Sequence, residues 1–229
     1  MDDTTALRAI DSPADCKRCE DVQRRAFAYA DIDVVPKNEL LQIARSGGLV
    51  LGAFAREPAL GAAERLVGFC FGFVGRDADG AIYHSSRMVA VVPEARRRGL
   101  AERLKRAQAE HVRAQGIVEI RWTFDPLAAA NASLNLGKLG AAATGYARDY
   151  YGATSSPLHR HGTDRLLVRW RLDRPRAQAP EGAERIEIGE AADLARVRSQ
   201  FESALARGLV GVDFREGAYL LAPRGDRGS

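Results

Sequence analysis

The chain has 229 residues, 46% of them hydrophobic, enough for one large domain or one domain with a small appendage. Its 34 basic and 30 acidic side chains leave a net charge of +4, and no basic run is longer than Arg96–Arg98, so the charge pattern is not the footprint of a nucleic-acid binder. Three cysteines argue against a disulfide framework, Met1-Asp2-Asp3 lacks a signal-peptide pattern and no apolar stretch approaches about 20 residues, so a cytoplasmic protein without a membrane span is expected.

Ala6–Ile10 reads as a first strand. Asp11-Ser12-Pro13 then opens a helix that runs to about Ala30, with a serine cap and a proline in the first turn. Cys16 and Cys19 share its apolar face with Val22, Ala26 and Ala30, which makes them buried small hydrophobes rather than half of a zinc site. A second helix begins near Pro36 and stops at Gly47-Gly48. Leu49–Ala55 and Leu66–Gly75 read as paired strands, Asp77–Gly80 as a turn and Ala81–Val92 as the next strand. The end of that strand, Met88–Val92, is an unbroken apolar run, and Pro93 terminates it. After the basic turn a helix opens at Gly99, with Leu100, Leu104, Ala107, Ala109 and Val112 at helical spacing and an end near Gly116.

Ile117–Phe124 alternates, with Val118, Ile120, Trp122 and Phe124 on one face and Glu119, Arg121 and Thr123 on the other, the period of a strand. Asn131 is placed to cap a short helix ending at Gly140. Gly145–Gly152 and the polar stretch Ala153–Thr163 read as an irregular connection able to cover a ligand. Arg165–Leu172 is a strand, and Arg174–Gly182 has the composition of a linker. Beyond it come a strand at Arg185–Ile188, an amphipathic helix on Leu194, Val197, Phe201 and Leu205, and a hairpin around Arg215-Glu216-Gly217. The expected division is a main α/β domain over 1–174 and an extension over 175–229. The extension is too small to fold independently, so it is expected to pack on the main domain or on a second subunit of a homodimer.

A strand that feeds a glycine-bearing turn and a helix N-terminus presents free N–H groups and the positive end of the helix dipole, for which phosphate is the natural ligand. The spacing Arg96-x-x-Gly99-x-Ala101 resembles the signature of the GNAT superfamily, the GCN5-related N-acyltransferases. The resemblance implies a mixed central sheet flanked by helices, with an acyl-CoA (acetyl-CoA or succinyl-CoA) as co-substrate and no metal. It assigns Arg96, Arg97, Arg98, Gly99, Leu100 and Ala101 to the pyrophosphate, and the main chain of Val91 and Val89 to the pantetheine arm. The strands Met88–Val92 and Ile117–Phe124 would diverge around the thioester. Asn131 and Lys138 match the family's asparagine and aromatic-x-Lys-x-Gly pattern and are assigned to the cofactor. Leu136 stands where many members carry a tyrosine acid, so the thiolate leaves directly or Asn135 supplies a hydrogen bond.

An amine acceptor needs a base. Asp125, held by Pro126 at a strand end, and His84 are the first candidates, with His159, His161 and a Glu119 read as solvated behind them. Trp122, Arg148, Tyr150 and Tyr151 are assigned to the acceptor, Arg148 as a carboxylate clamp. The longer string from His84-Ser85 through Trp122–Leu127 to Thr163–Arg165, with Val212-Asp213-Phe214, resembles a bacterial GNAT subfamily. Some of its members succinylate the amine of an amino acid. Ser86-Arg87 and the 153–163 loop depart from that pattern. The expected partner is a small-molecule amine, an amino acid by resemblance. A protein, peptide or polyamine acceptor, or a CoA-binding sensor without catalysis, stays open. For a succinyl carboxylate Arg87, Arg121 and Arg148 are the available cations.

Overall fold

The computed structural model describes residues 5–56, 64–152, 162–189 and 193–225. The chain divides into two compact units between Val118 and Glu119. The first unit runs β1 (Thr5–Ala9), α1 (Pro13–Phe27), α2 (Lys37–Arg45), β2 (Leu49–Arg56), β3 (Glu64–Arg76), β4 (Ile82–Val91) and α3 (Leu100–Ala114). Its strands pair antiparallel in the order β1-β2-β3-β4. Ser12 caps α1 by accepting the Asp15 N–H at 3.1 Å. The helix ends at Phe27 rather than near Ala30, because Ala28 takes a left-handed φ of 54° and donates its N–H to the Arg24 carbonyl. Cys16, Cys19 and Val22 of α1, Leu40 of α2 and Leu104 of α3 join Phe54, Phe69 and Phe71 of the sheet in one core. Each of the Val, Leu and Phe side chains among them contributes about 1.5–3 kcal/mol by leaving water. In β4, Met88 pairs with Phe71 and Ser86 with Gly72, which leaves Arg87 as the extra residue of a bulge.

The second unit runs β5 (Glu119–Phe124), α4 (Ala129–Ala132), a π-helical turn (Ser133–Lys138), β6 (Ala142–Ala147), β7 (Arg165–Arg171), β8 (Arg185–Glu187), α5 (Leu194–Ala206), β9 (Leu209–Arg215) and β10 (Ala218–Pro223). The strand order is β5-β7-β6-β9-β10-β8, with every pairing antiparallel. Residues 175–225 therefore lie in the same unit as β5–β7, with Ala143 of β6 paired to Gly211 of β9. The strand β6 was not legible as one. Ala142-Ala143-Thr144-Gly145-Tyr146-Ala147 has no hydrophobic alternation, and it is extended because β7 pairs with one of its edges and β9 with the other. The β9–β10 turn carries two consecutive left-handed residues, Glu216 (φ 52°) and Gly217 (φ 73°), as a hairpin turn of the right twist requires. Tyr219, Phe201, Leu136, Leu166 and Ile186 are fully buried in this unit.

Two local expectations are corrected. Asn131 does not cap its helix: the N-cap is Ala128, and Asn131 is an exposed residue inside α4. Glu119 is not solvated: it is 6% exposed and ion-paired with Arg121, Arg169 and Arg171, because β7 brings two arginines beside the start of β5. Among the described residues no helix is long and apolar enough to cross a membrane.

Candidate functional site

The first unit holds the anion turn. After β4 a single 3-10 turn, Pro93–Ala95, carries Glu94, which bridges Arg25 of α1 and Arg65 of β3, the latter at 2.6 Å. Arg97 and Gly99 follow with left-handed φ of 61° and 75°. Left-handed residues alternating with ordinary ones turn successive N–H groups to one side, the geometry of a backbone nest for anions. The helical ladder of α3 starts with the Arg103 N–H on the Gly99 carbonyl, so the N–H groups of Leu100, Ala101 and Glu102 have no carbonyl inside the helix. They lie at the N-terminus of a 15-residue helix, whose dipole adds to the attraction. A Cβ built on Gly99 would meet nothing within 4 Å, so the glycine is required by its φ and not by crowding.

Arg96 does not reach toward this turn. Its Nε donates to the Val91 carbonyl at 3.1 Å and its Nη2 to the Ala26 carbonyl, so it is a strut between the turn and α1. Arg97 and Arg98 are exposed. Val92 donates its N–H to Val67 of β3, so alternation turns the main-chain groups of Val91 and Val89 away from β3. That orientation is what a partner for pantetheine amides requires.

His84 is excluded as a base. It is fully buried, its Nε2 lies 3.2 Å from Gln108 Nε2, and its ring covers Gly72, where a Cβ would sit 2.3 Å from Nε2. Burial, with the charges of Lys105 and His111, pushes its pKa down to about 4. The alternation of β4 turned His84 and Ser86 to the same side as α3, where Lys105 Nζ reaches Ser86 Oγ at 2.8 Å and Gln108 Oε1 at 2.9 Å. Lys105 is 3% exposed, and burial drives its pKa down to about 7. Sequence reasoning missed this lysine, because it sits in a helix otherwise rich in exposed charges.

The second unit holds the remaining candidates. Asp125 and Pro126 form the first half of a turn closed by the Ala128 N–H on the Asp125 carbonyl. Asp125 Oδ1 also accepts the Leu127 N–H at 2.8 Å, so one carboxylate oxygen shapes the turn. Asn135 is 6% exposed, and Leu136 is fully buried beside Gly211. Lys138 is exposed at the end of the π-helical turn. Trp122 stacks edge-on against Trp170 with centroids 6.4 Å apart. Tyr150 and Tyr151 are exposed and make their own edge-on pair at 4.8 Å. His159 and His161 lie outside the described residues.

Arg148 is not an open carboxylate clamp. Its Nε and Nη2 both bind Glu202 of α5 at 2.6 Å, so its fork is filled by this chain. Beside it, Asp164 is 1% exposed and accepts from Arg198 at 2.7 and 2.9 Å, from Tyr146 Oη at 2.6 Å and from the Asp149 N–H at 3.0 Å. Burial alone would raise the Asp164 pKa, but the hydrogen bonds from Arg198, Tyr146 and Asp149 outweigh it and lower it. Among the described residues no group of three or more His, Cys, Asp or Glu could hold a metal ion.

No family profile and no curated protein matches the sequence. Solved structures match in fold. The chain is similar to NAA60 of Arabidopsis thaliana, solved with a bisubstrate analogue, at TM-score 0.60 and 16% identity over 74% of this chain and 100% of that one. It is similar to yncA of Salmonella typhimurium, solved with acetyl-CoA, at TM-score 0.58 and 19% identity over 76% and 98%. It is similar to an acetyltransferase of the GNAT family from Streptococcus pneumoniae at TM-score 0.55 and 15% identity over 72% and 98%. At such identities the likeness establishes the fold: an α/β arrangement of mostly antiparallel strands with flanking helices, shared with GNAT acetyltransferases.

Proposed function

We propose that this protein is an acyl-CoA-dependent N-acyltransferase that moves an acetyl or succinyl group from a CoA thioester to a primary amine. The observation that carries the proposal is the left-handed pair Arg97 and Gly99 between β4 and the N-terminus of α3, in a fold shared with GNAT acetyltransferases. In this reading the turn holds the pyrophosphate through main-chain N–H groups, and Val89 and Val91 offer theirs to the pantetheine arm.

The transfer is a direct attack. The amine lone pair forms the C–N bond at the thioester carbonyl, the C–S bond breaks, and CoA leaves with the electron pair as a thiolate. A thiol of pKa about 8.5 is a tolerable leaving group near neutrality without a tyrosine acid. The attacking nitrogen loses one proton, and the acceptor for it is Asp125, whose Oδ2 is not the atom that holds the Leu127 N–H. Asn135 and Lys138, at the π-helical turn, are assigned to the departing thiolate and the cofactor by the resemblance alone. A cytoplasmic setting fits the same reading, since Cys16, Cys19 and Cys70 are all free thiols.

An amino acid acceptor rests on the subfamily resemblance. The engagement of Arg148 by Glu202 favours a second reading, in which the acceptor is a peptide amine that needs no carboxylate clamp at that position. The test is calorimetric titration of the folded protein with CoA, acetyl-CoA and succinyl-CoA, followed by a thiol-release assay against amino acids and peptides. Binding of CoA with release of thiol on adding an amine supports the proposal. No heat with any of the three ligands overturns it.

A further inference from the structure

The segment that carries Asp125, Asn131, Asn135 and Lys138 has little regular structure of its own. α4 has four residues, and it passes into a six-residue π-helical turn. Such short helical pieces do not persist alone in water. Each turn also leaves carbonyls that the segment itself does not satisfy.

The C-terminal residues satisfy them. Tyr219 of β10 donates its hydroxyl to the Pro126 carbonyl at 2.7 Å, across 93 residues of chain. Tyr219 is 0% exposed and gripped edge-on by Phe201 at 4.9 Å and Phe214 at 5.0 Å, so its hydroxyl has one direction to point. Burial, with the nearby Asp125 carboxylate, raises its pKa well above the ordinary phenol value, so it remains a donor. Arg176 donates from Nη1 to the Gly137 carbonyl at 2.9 Å and from Nη2 to the Leu136 carbonyl at 3.4 Å. Its guanidinium is oriented by Asp213 Oδ1 at 3.0 Å, the same oxygen that accepts the Phe214 N–H at 2.8 Å. Gly137 lies so close to β9 that a Cβ there would stand 3.0 Å from the Phe214 carbonyl oxygen. The composition of 174–182 reads as a linker, yet it supplies the residue that ties the π-helical turn.

We propose that Tyr219 and Arg176 are positioning residues of the candidate acyl-transfer site: through the Pro126, Leu136 and Gly137 carbonyls they hold the Asp125 turn and the π-helical turn against the β9–β10 hairpin. The proposal rests on the acyltransferase reading. It makes the C-terminal segment part of the catalytic apparatus. The chemistry is then sensitive to groups that never touch the substrate, because a displacement of about 1 Å in a reacting group can cost on the order of 100-fold in rate.

The experiment uses the full chain with Tyr219→Phe, Arg176→Gln and Arg176→Lys, and Arg207→Gln as a control. Arg207 pairs with Glu184 on the exposed side of the same C-terminal region. Hydrogen exchange along the chain, CoA affinity and steady-state kinetics are measured for each. Tyr219→Phe and Arg176→Gln are expected to speed exchange over residues 125–139 while residues 97–104 stay as in the wild type. kcat is expected to fall about tenfold with CoA affinity changed less than threefold. Arg176→Lys should recover part of the loss, and Arg207→Gln should match the wild type. Unchanged exchange over 125–139 overturns the proposal, as does exchange that rises evenly over the whole chain, or a kcat within twofold of the wild type. A wild type that turns over no thioester with any amine refutes the acyltransferase reading instead, and the exchange pattern then decides alone whether these residues hold the two turns.

Discussion

Replacing Lys105 by methionine should remove a pH dependence from the stability of the protein. The lysine amine is 3% exposed, and its pKa falls from 10.5 to about 7 through burial, opposed only in part by Cys70. The titratable groups beside it are His84 of β4, held down at about 4, and Cys70 of β3, pushed up to about 12; His111 of α3 acts on His84. A lysine whose folded pKa lies below its unfolded value leaves the unfolded chain binding more protons between the two. Stability therefore rises with pH over the window from about 7 to 10.5, and the deficit is full below it. Integrated from pH 7 to pH 9, Lys105 adds about 2 kcal/mol to the folded state. The variant loses the amine's hydrogen bonds to Ser86 and Gln108, each worth about 1 kcal/mol, but it also sheds a buried ammonium. It should be the more stable protein at pH 6. Urea unfolding of both proteins at pH 6, 7 and 9 is the assay, and the wild type should gain about 2 kcal/mol more than Lys105→Met between pH 7 and 9. Equal gains in the two proteins would refute the argument, because they would mean that the buried amine keeps its ordinary pKa.

Asp164→Asn should destabilise by about 3 kcal/mol in chemical unfolding, since it leaves Arg198 beside an amide where a carboxylate stood. The wild-type contribution is present above the unfolded carboxylate pKa of about 4 and fades as pH falls through the lowered folded value, so the variant should lose less stability than the wild type on going from pH 7 to pH 3. A Cβ at position 99 meets no atom within 4 Å, but Gly99→Val forces a β-branched residue to a φ of 75°, so a stability loss of about 1–2 kcal/mol is expected. CoA affinity should drop at least tenfold in the same variant by calorimetry, and wild-type affinity there would remove the anion turn from the site. Arg148→Ala should leave the acceptor KM unchanged, because Glu202 already fills the arginine fork; a large rise in KM would restore the clamp. Cys16, Cys19 and Cys70 are buried with raised thiol pKa values, so a thiol reagent at pH 8 should modify the native protein only as fast as it unfolds.

Many local features were legible in the sequence because the signal and the structure it specifies lie a few residues apart, although the Asn131 cap and the end of α1 were not. The Ser12 cap and Pro13 start α1, Gly47 takes a φ of 81° just past α2, Pro93 ends β4, and Glu216-Gly217 turn the last hairpin. The strand–turn–helix over 88–101 was readable for the same reason, since an apolar run, a proline and a glycine before an amphipathic repeat each act on their own backbone. The β6 strand and the π-helical geometry of 133–138 were not, because Ala142–Ala147 is extended only by its pairings and Ser133–Lys138 is shaped by strand β9 packing on Gly137.

The partners of the site residues were the part that only the tertiary structure decided. Arg96 is taken by a carbonyl 70 residues away, Arg148 by a carboxylate 54 away, and Pro126 by a hydroxyl 93 away. By sequence His84 was a candidate base and Lys105 one charge among many in its helix, and packing α3 on β4 made one a buried neutral ring and the other an amine that gives up its proton near neutrality. The sequence alone determined where the chain turns and which face is apolar, because those depend on φ, period and nearest neighbours. Which charges remain open to a ligand depends on desolvation and on groups far along the chain, and that is fixed only when the elements pack.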